Sequence, residues 1–350
     1  MVFVLDGAPP GGDGSAARPL ATITEALVLA PAGTVVALGK GTYDEALDLP
    51  AGVTLQGACP TESIITVSTW APRSSTIAVR TAGVTIRDVG VFMAERRAIL
   101  VEGSAASLDL DGAILTGPVG EGIVVDGGGR LTAREVIVLG TRPRGSDGHA
   151  SAAVGVSRGG QATLERAFIE RALGWGMVVL SGGSLTAEGV AIRDTQPDPI
   201  DRAVGQAVGV MDGSMHLARA VLERNRQAGI AMSGGTAVLD DVLIRDTLEQ
   251  LFGLTAERER DGARHEVRDG ELRLGLTRMS LEEREQRARV DKAQARRHPR
   301  REPHLRHPSR RHRLLLGGND DPEDGQLEVR KTGATGADPF AEVVRVCFPP

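Results

Sequence analysis

The segment SGGSLTAEGVAIRDT at 181–195 returns 52 positions later as SGGTAVLDDVLIRDT at 233–247. The same small turn followed by the same apolar beat restricts the chain to architectures in which one unit stacks on the next. The glycines extend the pattern. Turns of this kind fall at Gly33, Gly52, Gly83, Gly103, Gly127, Gly159, Gly182, Gly213 and Gly234, separated by 19, 31, 20, 24, 32, 23, 31 and 21 residues. Two steps recur, one of about 21 residues and one longer by about ten, which a fixed coil with occasional loop insertions explains. The 45 glycines show no three-residue collagen period and read as turn residues.

Between the turns the apolar residues alternate. GIVVD, GMVVL and AGIAM place Ile123 with Val125, Val178 with Leu180, and Ile230 with Met232 on one side of a strand. A second short strand follows each turn, as in LTAREVIVL, LTAEGVAI and AVLDDVLI. Each coil is thus predicted to carry two or three strands of about four or five residues, and no run reaches ordinary helix length. The expected fold is all-β, a right-handed parallel β-helix, with coils ~4.8 Å apart and roughly 40 Å from Gly33 to Gly234. Aromatics make up only 3% of the chain, so Val, Ile, Leu and Ala must fill its core. A leucine-rich horseshoe shares the period but needs a repeating asparagine, and the chain has only Asn225 and Asn319.

The opening segment fits a capped solenoid. Leu20, Ile23, Leu27 and Ala30 recur at helical spacing, with Pro19 near the start and APAG as the stop. A short amphipathic helix there covers the open edge of the first coil. RPLATITEAL, AGTVVALGKGTYDEAL and AGVTLQGAC together resemble the opening module of pectin-lyase-like right-handed parallel β-helix proteins, particularly bacterial secreted or surface proteins of mostly unassigned function. The resemblance spans about residues 1–250 and implies the fold and an extracellular or outer-surface location.

These observations divide the chain into a cap segment at 1–33, a β-helix at 34–250, an Arg-rich segment at 251–316 and a tail at 317–350. From Ala256 to Arg313 there are 17 arginines in 58 residues. Three readings of this stretch stand open: a basic arm for nucleic acid or acidic polysaccharide, a solvated tail, or the product of a shifted reading frame. A net charge of -5 gives no reason to expect a specific nucleic-acid partner. Cys59 and Cys347 are too few for a disulfide framework or a zinc site, and either one bridge or two thiols fits them. No apolar run has the length of a membrane helix, and MVFVLDG lacks the features of a signal peptide.

Catalytic and metal motifs are missing. GSDGHASAAVGVS at 145–157 and the Asp240–Asp241 pair resemble fragments of polygalacturonases, but their order is reversed and the accompanying Asn-Thr-Asp and Arg-Ile-Lys motifs are absent. Consecutive strand residues also point to opposite faces unless a bulge intervenes. The arginine motif of pectate lyases is absent too. GGNDDPEDG at 317–325 places Pro322 at a ligand position of a calcium loop, so neither metal nor cofactor is expected. What remains is a surface. Insertions at 142–153 and 196–207 occupy equivalent places two coils apart, ~10 Å along the axis. Arg142, Arg144, Asp147, His149, Asp198, Asp201 and Arg202 are expected to line a polar groove there, or to pair as Arg142 or Arg144 with Asp198 or Asp201. The preferred function is non-catalytic glycan binding or adhesion. The alternative is a polysaccharide lyase or glycoside hydrolase of unrecognised type using loop carboxylates.

Overall fold

The computed structural model describes residues 1–68, 75–94, 97–200 and 202–247, and the backbone of a strand at Gln326–Arg330. Parallel strands stack along one axis into a 14-stranded and an eight-stranded sheet. The first sheet carries a register column that climbs Val36, Leu55, Ile86, Leu110, Ala133, Leu164, Ala187, Leu217 and Leu239. In the second sheet the column is Ile99, Ile123, Val154, Met177, Val208 and Ile230. Both columns are buried in one continuous aliphatic core. Small and branched residues suffice because each rung only has to fill the space to the next, about 4.8 Å away.

The longer sheet differs from the expected pair of short strands. Ser107–Thr116, Arg130–Leu139, Gln161–Glu170, Ser184–Arg193, Ser214–Glu223 and Thr236–Arg245 are each one ten-residue strand. Each bends at a residue of positive φ in the same register position: Gly112, Glu135, Arg166, Gly189, Arg219 or Asp241. The bend resets the alternation, so that Leu131 and Ala133 before it and Val136 and Val138 after it all face the core. Asp241 is itself a bend residue, so Asp240 and Asp241 both lie on the outer side between the inward Leu239 and Val242, not on opposite faces.

The shorter sheet corrects one predicted pairing. Met177 and Val179, not Val178 and Leu180, continue the core columns of Ile123 and Val125. The strand Gly174–Leu180 begins at a corner where φ of Gly174 is 90°. A Cβ on Gly176 would lie 2.4 Å from Ile192 Cγ2, so positions 176 and 177 both face inward and shift the phase by one. Val178 is buried on the outer side.

The ends are built differently. The helix Ile23–Val28 is capped by Thr22, whose hydroxyl accepts from Glu25 N at 3.2 Å. The Glu45 carboxylate accepts from Ile23 N and Thr24 N at 2.7 and 2.8 Å, which ties the helix to the second coil. Within the cap segment, Val2–Val4 also pairs with Val36–Leu38. At the other end Gln326–Arg330, inside the predicted tail, pairs with Thr236–Asp240. Leu243, in the other half of that last long strand, is 44% exposed. The Arg-rich segment at 251–316 and Cys347 lie outside the described residues. Cys59 is buried with its Sγ 3.2 Å from Thr61 Oγ1.

Candidate functional site

Beyond each long strand lies a second column of positive-φ residues, Gly117, Gly140, Arg171, Asp194, Arg224 and Asp246, and from the first five of these the chain crosses to the shorter sheet. Most crossings take only a few residues. Two are long, and both begin Thr-x-Pro: Thr141-Arg142-Pro143 and Thr195-Gln196-Pro197. Their threonines are buried anchors. Thr141 Oγ1 accepts from Leu173 N at 2.7 Å, and Thr195 Oγ1 donates to Gly205 O at 2.6 Å. Asn225 fixes the second loop from the next coil, accepting from Thr195 N at 3.2 Å and donating to Ile192 O at 3.1 Å. The intervening coil crosses at Arg171–Gly174, directly between the two loops, and bonds to the second through Gln196 N to Ala172 O, 2.7 Å, and Gly174 N to Gln196 O, 2.8 Å.

The loops meet above that short crossing. His149 Nδ1 donates to Asp198 Oδ2 at 3.0 Å, and Ala150 N donates to the same oxygen at 2.6 Å. Asp198 Oδ1 accepts from Ile200 N at 2.7 Å. Asp198 is 4% exposed, so one sealed carboxylate closes its own loop and clamps the neighbouring one. His149 is held by Nδ1, and its ring is partly exposed.

The predicted pairings of Arg142 and Arg144 with Asp198 do not form, because closer partners take each group. Arg142 Nε donates to Gly117 O at 2.7 Å. Arg144 pairs with Asp147 within its own turn, at 3.0 Å. The His149 backbone N–H, aided by the Arg144 guanidinium, holds the Asp147 carboxyl below its ordinary range against the opposing effect of burial. Arg202 turns the chain at φ 61° and donates its N–H to Asp198 O at 3.1 Å. Asp201 lies outside the described residues. The insertions therefore share one side of the solenoid, and among the described residues Asp198 joins them through His149 and Ala150 N.

Three neighbouring residues escaped the sequence reading. Trp175 follows Gly174 on the outer face of the shorter sheet, with Gln206 as its register partner. A Cβ on Gly209 would lie 2.9 Å from Trp175 Cδ1 and Nε1, so the missing side chain is what lets the half-buried indole settle there. Gln206 Nε2 donates to Gln227 Oε1. Gln206 Oε1 is buried with no donor, a situation costing on the order of 1–3 kcal/mol. Two signals were present in the sequence: the Gly-Trp-Gly triplet and the repeated Thr-x-Pro. Among the described residues no three His, Cys, Asp or Glu side chains converge as metal ligands do.

Stacked parallel strands in two sheets, with a separately built loop edge, define a parallel β-helix. Residues 7–163 match the profile of a family described as protein of unknown function (DUF1565). A rhamnogalacturonan lyase superposes with a TM-score of 0.52 at 12% identity, over 68% of this chain and 73% of its own. Pectate lyase Pel9A gives 0.49 at 12% identity, over 71% and 78%. A pectin methylesterase from carrot gives 0.35 at 13% identity, over 73% and 84%. At these identities the likeness concerns the fold alone. Comparison with curated protein sequences finds no match.

Proposed function

We propose that this is a non-catalytic glycan-binding β-helix acting outside the cell, with the polysaccharide held along the loop edge at 141–150 and 195–205. One observation carries the reading. The two described loop carboxylates are already committed as acceptors, Asp147 to Arg144 and His149 N, and Asp198 to His149, Ala150 N and Ile200 N. Glycoside cleavage needs a paired acid and base free to exchange protons with the substrate, and groups locked into loop architecture do not serve. Among the described residues no helix is long and apolar enough to cross a membrane.

A second reading, a polysaccharide lyase or hydrolase, is favoured by the geometry of His149 itself. A buried carboxylate on Nδ1 leaves Nε2 as the nitrogen for proton transfer. Purified protein screened on neutral and acidic polysaccharides separates the two. Retention without product release is expected. Product release that disappears in His149→Ala or Asp147→Ala would establish the enzyme instead.

A further inference from the structure

Building on the glycan-binding reading, we infer that the outer face of the shorter sheet beside the loops carries a subsite for a neutral sugar ring, with Trp175 as its platform and Gln206 as its polar contact.

The absent side chain at Gly209 sets the seat of the indole. Its Cβ would fall 2.9 Å from two indole atoms, so the ring rests directly over backbone. Such a support holds an aromatic plane in one orientation at little entropic cost. The apolar C–H face of a pyranose packs against a plane of this kind, while the hydroxyls around its rim need hydrogen-bond partners.

Gln206 offers such a partner. It lies beside Trp175 in register and is 8% exposed. Its Nε2 is occupied by Gln227 Oε1, whereas its Oε1 has no donor within the protein. A buried acceptor in this state is an exception among folded proteins, and a sugar hydroxyl brought to the indole supplies the donor. Both residues are framed by loop backbone: Gly174 N donates to Gln196 O at 2.8 Å, and Gly205 N donates to Gly174 O at 2.9 Å.

The chemistry of the contacts selects the ligand class. An indole and two carboxamides carry no formal charge, whereas Arg226, next to Gln227 in the chain, lies against Gly205, where an added Cβ would fall 2.9 Å from its own Cβ. The platform and its carboxamide contact thus suit an uncharged pyranose ring, and the acidic probe reads whether Arg226 adds recognition of a uronate.

The test uses the full chain, with cellohexaose as the neutral probe and hexagalacturonate as the acidic one, both titrated by calorimetry. Trp175→Phe keeps an aromatic fill for the fold. It should weaken cellohexaose binding about threefold, and Trp175→Ala about tenfold. Gln206→Ala should weaken it about fivefold when measured well below its thermal midpoint, which falls because Gln227 Oε1 loses the Gln206 Nε2 donor. Unchanged cellohexaose affinity in both Trp175→Ala and Gln206→Ala, with binding lost in Arg144→Ala, overturns the subsite and leaves the glycan-binding reading intact. Binding of hexagalacturonate alone overturns the neutral class. Failure of both probes and of a broader polysaccharide panel overturns the glycan-binding reading itself.

Discussion

The crossing column and the loop edge use the same side chains in opposite ways. Along the column, arginines and carboxylates form a ladder on successive coils: Arg193 to Glu170, Arg224 to Asp194 and Glu223, Arg245 to Glu223. Their guanidinium ends are over a third exposed, and each such pair stabilises the fold by under about 1 kcal/mol. At the loop edge a single carboxylate, Asp198, is sealed and accepts hydrogen bonds from His149, Ala150 N and Ile200 N. The ladder continues wherever a coil offers a new rung, whereas the Asp198 clamp exists once. Specific chemistry in this solenoid sits where the repeat is interrupted.

The sharpest way to break that contrast is Asp198→Ala. It strips the acceptor from Ala150 N, Ile200 N and His149 together, leaving two backbone donors in a poorly hydrated turn. A loss of roughly 2–4 kcal/mol is expected, against a much smaller shift for Asp147→Ala in its exposed turn. Denaturant midpoints of the two variants check this directly. Equal effects would mean that the loops do not depend on the clamp.

Acid titration probes the other side of the comparison. The hydrogen bond from Arg224, aided by its charge, holds the Asp194 carboxyl below its ordinary range. Burial opposes ionisation of Glu223, but the hydrogen bond from Arg245 and the charges of Arg245 and Arg224 outweigh it and lower that group as well. Depressed folded-state values contribute stability that is complete above the unfolded carboxylate range, near about pH 4, and is lost as pH falls through the folded values. The midpoint should therefore drop below about pH 4, and Arg224→Ala should flatten that drop while costing under about 1 kcal/mol at neutral pH. High salt should shrink the difference, since exposed pairs are screened.

How much of this was legible depended on whether a feature repeats. Of the nine turn glycines read from the sequence, all but Gly213 adopt positive φ, and there Asp212 takes that conformation instead. The bends inside the long strands were hidden, because Glu135, Arg166 and Arg219 look like ordinary outward strand residues although their backbones are left-handed. Val178 was misplaced by one position because two glycines, Gly174 and Gly176, build a corner that the alternation rule does not include. His149 and Asp198 were both nominated, but their pairing spans 49 residues and depends on which groups the intervening coil leaves within reach. Trp175 and Gln206 carried no periodic signal at all, since their arrangement arises only when Gly209 is stacked beside them.

The hidden bends give the smallest and most discriminating prediction. Arg166 sits at φ 53° in a column where Gly112 and Gly189 hold the same conformation without a Cβ. Replacing it by glycine relieves a left-handed strain of roughly 1 kcal/mol. It also loses the exposed Arg166–Glu135 pair, under about 1 kcal/mol, and adds freedom to the unfolded chain. These terms nearly cancel, so Arg166→Gly should leave the denaturant midpoint within about 0.5 kcal/mol of the parent. Arg166→Val, with its β-branch at positive φ, should lose more than about 1 kcal/mol, since it keeps the strain and removes the pair. If glycine and valine are equally tolerated, the bend column is not strained. The ladder of charges would then be the reason for arginine at this position, and the separation drawn between repeating and unique chemistry would fail on its repeating side.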